Sequence, residues 1–292
     1  MNITINALVI LYDTKPIESK TIQSIIRSNL GRNVNLNLII WNNGPHYFDK
    51  QCIDEYTQYC KRQKIEIYQD TRNISLSKIY NNFLKKLNYD FLVIFDQDSN
   101  ICDNYFRLIY KNKNIDVLFP VITFTPIDTR LSNHSKNLNY KTFNAAETKS
   151  IGSGLCISKK IVLKLLSEYG DIFDENFAFY FADFSFFNRL KRLGYVSGKK
   201  IGSMSHEISG IARYDEMNEN TKCELGYGKI LLRIFEKKKS NLISSLIYCI
   251  KYWLKSRCSV ITFYKITMCM LMRKHPRSKF NITLKKTLIY KN

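Results

Sequence analysis

No Cys-x-x-Cys pair occurs among the eight cysteines, and no histidine stands at zinc-finger spacing from any of them, so no zinc site is expected. Most of these cysteines lie in apolar or aromatic surroundings, where a free thiol packs as a small hydrophobe; a reducing compartment is expected rather than a disulfide framework. The opening segment MNITINALVILYDTKP lacks a basic region before its apolar run and a small-residue cleavage site after it, and reads as a first strand rather than a signal. No stretch reaches the roughly 18 to 20 uninterrupted apolar residues of a spanning helix, because Lys251 and Lys265 break the two best candidates. There is no internal repeat, and no Gly-rich basic phosphate loop near the N-terminus of the kind a nucleotidyltransferase would carry. What is present is a chain of 292 residues, 45% hydrophobic and 13% aromatic, long and apolar enough to bury a core without staples. Lys and Arg number 45 against 25 Asp and Glu, a formal +20 that favours an anionic partner.

That charge is not spread evenly. From Lys229 to Asn292 there are sixteen Lys or Arg and one acid, Glu236, so this stretch carries +15 of the +20. We therefore divide the chain into a first domain over 1–228 and a basic helical extension over 229–292. In the first part, short β-rich runs alternate with helical patterns, the order of a mainly parallel sheet flanked by helices. Expected strands are Thr4 to Tyr12, Leu36 to Trp41, Ile65 to Gln69, Phe91 to Phe95 and Val117 to Val121. Expected helices run from Pro16 to Leu30, Asp49 to Lys64, Ser75 to Leu87 and Asn104 to Tyr110.

Ligands of open α/β sheets bind beyond the carboxyl ends of the strands. The polar residues there are Tyr12 and Asp13, Asn42-Asn43-Gly44, Asp70 to Asn73, and Asp96-Gln97-Asp98-Ser99. Carboxylates hold a metal or a ribose and amides read a base, so the set points to a nucleotide or sugar phosphate. Asp96 and Asp98 follow a fully apolar strand and can face one ion, with Mg²⁺ or Mn²⁺ as the fitting metal; the alternative is a polar turn with an Asp cap. In FDENFAFYFADFSFFNRLKRLGY, Asp183 stands among aromatic residues, where burial raises a carboxylate pKa toward that of a useful general base; the alternative is an N-cap for a helix Phe184 to Leu193. Gly152-Ser153-Gly154 marks either a close backbone approach or a tight turn. His206, after an expected strand Val196 to Met204, is either a metal or diphosphate contact or a structural residue. His46, His134 and His275 have no such context.

The order of these motifs resembles glycosyltransferase family 2 over about residues 3–215. VILYDTKP resembles the first strand and nucleotide-contacting turn, IIWNNGP the second strand end with Asn42 in place of the usual Asp, and NISLSKIYNNFL the Asn-containing stretch with Asn73 and Asn81. DQDS resembles the Asp-x-Asp motif, and SGLCISKKIV with the aromatic Asp183 segment resembles the acceptor side, where Ala182 replaces the acid that usually precedes the base. The resemblance implies a GT-A, Rossmann-like fold and an inverting, metal-assisted transfer using Mg²⁺ or Mn²⁺. It implies Asp183 as base, Asp98 and His206 as metal contacts, and Tyr12, Asp13, Asn42, Asn73, Asn81, Asp96 and Arg189 as donor-side residues. The wording of DQDS, the length and the basic C-terminus are most similar to bacterial rhamnosyltransferases of O-antigen or capsule assembly. That implies a dTDP- or UDP-linked donor sugar, a polyprenyl-diphosphate-linked saccharide acceptor and peripheral attachment at the cytoplasmic face of the inner membrane. A nucleic-acid partner is not expected, since the basic residues segregate to the tail instead of lying with aromatics on the folded domain.

Within that tail, Asn241 to Arg257 places Leu242, Ile243, Leu246, Ile247, Ile250, Trp253 and Leu254 on one helical arc with Lys251 and Lys255 at its flank. Such a helix suits an anionic membrane surface, or else packs on the catalytic domain. Deleting the chain after Arg233 is expected to move the protein from membranes to the soluble fraction.

Overall fold

The computed structural model describes residues 2–59, 64–125, 141–148, 150–207, 213–236, 241–283 and 286–290. His134 lies outside them. Four parallel strands form the heart of the sheet: β1 (Ile3–Leu11), β2 (Val34–Asn42), β3 (Lys64–Gln69) and β4 (Phe91–Asp96). They stand side by side in the order β3-β2-β1-β4. Each reads as a nearly unbroken apolar run because both faces of the sheet are covered. Leu8, Ile10, Ile39 and Ile94 pack into one buried cluster, while their neighbours Ala7, Val9, Leu38 and Val93 pack into the other.

Beyond β4 the sheet becomes mixed. β8 (Leu155–Ser158) runs antiparallel between β4 and β6 (Val117–Thr125), and β9 (Ser197–Glu207) lies parallel to β6. Two short strands, β5 (Ser99–Ile101) and β7 (Phe143–Asn144), pair antiparallel with β9. At the opposite edge β10 (Lys286–Tyr290) pairs antiparallel with β3, so the end of the basic extension is a strand of the main sheet.

Helices α1 (Lys20–Arg27), α2 (Lys50–Tyr59), α3 (Leu76–Leu84) and α4 (Tyr105–Lys111) follow the expected order. The helix expected over Pro16 to Leu30 is divided. Pro16–Glu18 forms a 3₁₀ turn, and the hydroxyl of Ser19 then accepts a bond from the Ile22 amide, capping a new helix at Lys20. Later helices are α5 (Lys159–Tyr169), α6 (Ala182–Arg192), α7 (Glu219–Glu236), α8 (Leu242–Ser256) and α9 (Val260–Met272). α7 runs unbroken through residue 228, where the charge pattern divides the chain. It packs with α8 and α9 around a third buried cluster, which contains Cys223, Ile230, Cys249, Tyr252, Ile266 and Met270. All seven described cysteines are free, six of them buried. No helix among the described residues is long and apolar enough to cross a membrane.

Candidate active site at the carboxyl edge of the sheet

The chain enters the sheet at β1, adds β2 and β3 on one side, and then crosses to place β4 on the other. The crevice of such a sheet opens where the direction reverses, at the carboxyl ends of β1 and β4. Those ends are Tyr12 with Asp13, and Asp96. They are tied together, because the Tyr12 amide donates to Gln97 Oε1 at 2.8 Å.

The turn carrying Asp96 and Asp98 is fixed by the start of α1. Ser19 Oγ donates to the Gln97 carbonyl at 2.8 Å, Thr21 Oγ1 donates to the Asp96 carbonyl at 2.5 Å, and the Ser99 amide donates to Thr21 Oγ1 at 2.8 Å. The Asp96 amide donates to Ser153 Oγ at 3.1 Å, so the Gly152-Ser153-Gly154 turn is a support of this site. His206 does not follow a strand, as the sequence suggests, but lies within β9 opposite Ser99 of β5. This register sets His206 Nδ1 2.9 Å from Ser99 Oγ and 3.3 Å from Asp98 Oδ1. One ligand atom from each of Asp96, Asp98 and His206 falls within 4.8 Å of the others. Two carboxylates and an imidazole are a donor set suited to Mn²⁺ or Mg²⁺, and three ligands leave room for the oxygens of a diphosphate.

Asp183 faces the same space. It is not the N-cap of its helix: Phe181, in the left-handed conformation at φ 67°, holds that position, and Asp183 falls in the first turn of α6. Burial raises its carboxyl to about 6, although the amides of Phe184 and Gly152 donate to it and oppose the rise. Burial likewise raises Asp96 to about 6; His206 lowers it and the neighbouring Asp98 and Asp183 raise it further. Both carboxylates are enclosed on most sides yet keep partial access to solvent, as groups that meet a ligand must. The buried phenol of Tyr80 feels both carboxylates and is held well above its ordinary range, chiefly by burial.

The overall fold is similar to that of solved structures. The mannosyltransferase PcManGT from Pyrobaculum calidifontis, in complex with GDP-Man and Mn²⁺, superposes with a TM-score of 0.56 at 10% identity, covering 93% of this chain and 75% of that one. GalNAc-T7 with UDP, GalNAc and Mn²⁺ gives 0.54 at 11% identity, covering 90% and 56%. S. aureus TarS gives 0.52 at 12% identity, covering 94% and 54%. The fold is the GT-A fold. This GT-A chain spans about half the length of TarS and of GalNAc-T7. Its sequence matches no family model and no curated protein.

The other sequence-derived donor residues divide into two groups. Tyr12 and Asp13 are exposed at the rim of the crevice; Asn73 is half-buried in a left-handed conformation at φ 53°, and its Oδ1 already accepts from Asn43 Nδ2 at 3.1 Å and from Arg277 Nη1 at 2.6 Å. Asn42, Asn81 and Arg189 are committed elsewhere. Asn42 is buried; its Oδ1 accepts from the Gly44 amide at 2.9 Å and its Nδ2 donates to the His46 carbonyl and Gln69 Oε1, so the amide closes its own turn. Asn81 uses its full hydrogen-bonding capacity on the segment before α6. Its Oδ1 accepts from the Ile172 and Phe173 amides, and its Nδ2 donates to the Phe173 carbonyl and Glu175 Oε1. It is a buried clamp, not a ligand contact. Arg189 pairs with Asp171 and lies over the ring of Tyr169.

Sequence reasoning named Ser99 only as one of the polar residues at a strand end, and missed Thr21 and Tyr80 as members of the site. The hydrogen-bond partners of Ser99 and Thr21 lie 54 to 107 positions away in the chain, so no local pattern announces them.

Proposed function

We propose that the chain is an inverting glycosyltransferase that moves a sugar from a nucleoside diphosphate onto a hydroxyl acceptor. The observation that carries this reading is the convergence of Asp96, Asp98 and His206 with Asp183 at the switch point of a GT-A sheet. Asp183 takes the proton of the acceptor hydroxyl while that oxygen bonds to the anomeric carbon, and the bond from that carbon to the diphosphate oxygen breaks on the opposite face. A carboxyl near 6 is largely ionised at neutral pH yet more basic than an ordinary aspartate, as this step requires. Asp96, Asp98 and His206 would hold Mg²⁺ or Mn²⁺, which when bound neutralises the departing diphosphate. Ser99 and Thr21 keep the carboxylates in place, and the rim residues Tyr12 and Asp13 are positioned for the nucleoside.

The finer assignment is dTDP-L-rhamnose as donor and a polyprenyl-diphosphate-linked saccharide as acceptor, in bacterial O-antigen or capsule synthesis at the cytoplasmic face of the inner membrane. It is supported by the DQDS wording and the basic extension. A thermal-shift screen with dTDP, UDP and GDP, each with and without Mn²⁺ or Mg²⁺, tests it. A ligand at about one hundred times its Kd stabilises the folded state by about 2.7 kcal/mol, which is readily seen. Stabilisation by dTDP over UDP, dependent on metal, is the expected result. A UDP preference replaces the sugar by a hexose or galactofuranose, and no response to any nucleotide contradicts transfer altogether. In the same assay Asp98→Ala is expected to erase the metal-dependent increment, leaving any metal-independent nucleotide response.

A further inference from the structure

Helix α8 is turned inside out. The face it buries carries Ser245, Cys249, Tyr252 and Ser256, the small or polar-tipped residues of its sequence, with the Tyr252 hydroxyl donating to the Lys222 carbonyl of α7 at 2.7 Å. Its aliphatic face points outward, and Ile243 is 70% exposed. Trp253 is not part of the outward face as a free anchor, because its indole donates to the Cys258 carbonyl at 2.9 Å and its ring packs on Phe263. The next helix is apolar on both sides: α9 buries Thr262, Ile266, Cys269 and Met270 yet also leaves Val260, Ile261 and Tyr264 exposed, Ile261 by 67%. A helix in water ordinarily keeps its apolar side inward, and an outward apolar face of this extent marks a contact surface.

Charge identifies what that surface meets. Residues 241–283 contain eight Lys or Arg and no acid. A second copy of the chain would bring two such sets of positive charge together, and a basic protein would be repelled in the same way. An anionic lipid surface attracts the basic side chains while its interface receives the aliphatic ones.

We propose that the α8–α9 hairpin is a membrane-docking platform that inserts the outward faces of both helices into the interface of an anionic phospholipid bilayer. This deepens the membrane placement given under the proposed function and rests on it for the setting, but it stands on residues other than those of the sugar-transfer site, so either can fail alone.

The test is co-sedimentation of the full chain with vesicles of phosphatidylglycerol and phosphatidylcholine, against vesicles of phosphatidylcholine alone. The double variant Ile243→Asp, Ile261→Asp probes the aliphatic faces. Each substitution lies in the first turn of its helix, where an acid suits the helix dipole, so folding should be preserved and an unchanged unfolding temperature verifies it. Binding to the anionic vesicles alone, weakened by salt and reduced on the order of tenfold or more in the double variant, is expected. A charge variant, Lys251→Glu with Lys255→Glu, should show a similar loss. The proposal is overturned if the anionic vesicles fail to bind the wild-type chain, or if the folded double variant binds as well as wild type. It is also overturned if the chain is a dimer that the double variant converts to a monomer without any vesicle binding.

Discussion

Asp183→Asn is expected to lower turnover by about 10²- to 10⁴-fold, the range that general-base assistance supplies, while metal-dependent nucleotide binding persists. The same substitution should not weaken the fold. A carboxyl held near 6 in the native state and near 4 when unfolded stabilises the protein below pH 4, and that contribution is lost as the pH rises from about 4 through about 6. At pH 8 the buried charge therefore costs about 3 kcal/mol, at 1.36 kcal/mol per pKa unit, and the neutral amide removes part of that cost. An equal or higher unfolding temperature for Asp183→Asn at pH 8, with the difference vanishing toward pH 4, is the signature of a group kept for chemistry at the expense of stability. In wild type, kcat/KM should rise with pH along a limb near 6 instead of near 4. Full activity in Asp183→Asn, or an acid limb near 4, would remove Asp183 from the role of base.

Deleting the chain after Arg233 is expected to collapse the catalytic fold rather than simply release it from membranes. The deletion strips β10 from the edge of β3 and removes Tyr252, Ile266 and Met270 from the cluster they share with α7. Burial of each large apolar side chain contributes roughly 1.5–3 kcal/mol, so these alone take several kcal/mol from a folding margin of roughly 5–15 kcal/mol. It also removes Arg277, which donates to Asn73 Oδ1 at 2.6 Å and to Glu224 Oε2 at 2.5 Å, and Lys78 loses its bond to the Phe280 carbonyl.

Two glycines of α7 show that this helix lies between the extension and the site, in close contact with each. A side chain at Gly226 would collide with Ile266 of α9, and one at Gly228 would meet the ring of Phe181, two residues before Asp183, at 2.5 Å. The truncated chain should thus lose both its cooperative thermal transition and its nucleotide response. A transition at the parental temperature would show that the extension is dispensable to the fold. For this reason membrane docking is better tested by exposed point substitutions than by deletion.

The sheet was legible because its parallel strands are buried on both faces, and an apolar run bounded by polar strand ends survives as a local pattern. The Asp96–Asp98 turn and Asp183 were legible for the same local reason: carboxylates stand immediately after a buried strand or inside an aromatic run. What could not be read was side-chain commitment over long range. Asn42 and Asn81 carry the right chemistry for a ligand, yet Gln69 and the segment around Phe173 satisfy them, and nothing near either asparagine announces those partners. The arc of α8 was visible, but which side faces the protein depends on the small residues that fit against α7. Likewise β10 follows a helical stretch and finds its partner more than 200 positions back.

The central claim is that Asp96, Asp98 and His206 form a cation site that serves a nucleoside diphosphate beside Asp183. Electron paramagnetic resonance of Mn²⁺, titrated with the full chain in the presence of dTDP or UDP, measures it without knowledge of sugar or acceptor. The free-Mn²⁺ signal should fall with about one equivalent of wild type or Asp183→Asn and remain with Asp98→Ala. Mn²⁺ left free by wild type, or bound equally by Asp98→Ala, would contradict the site.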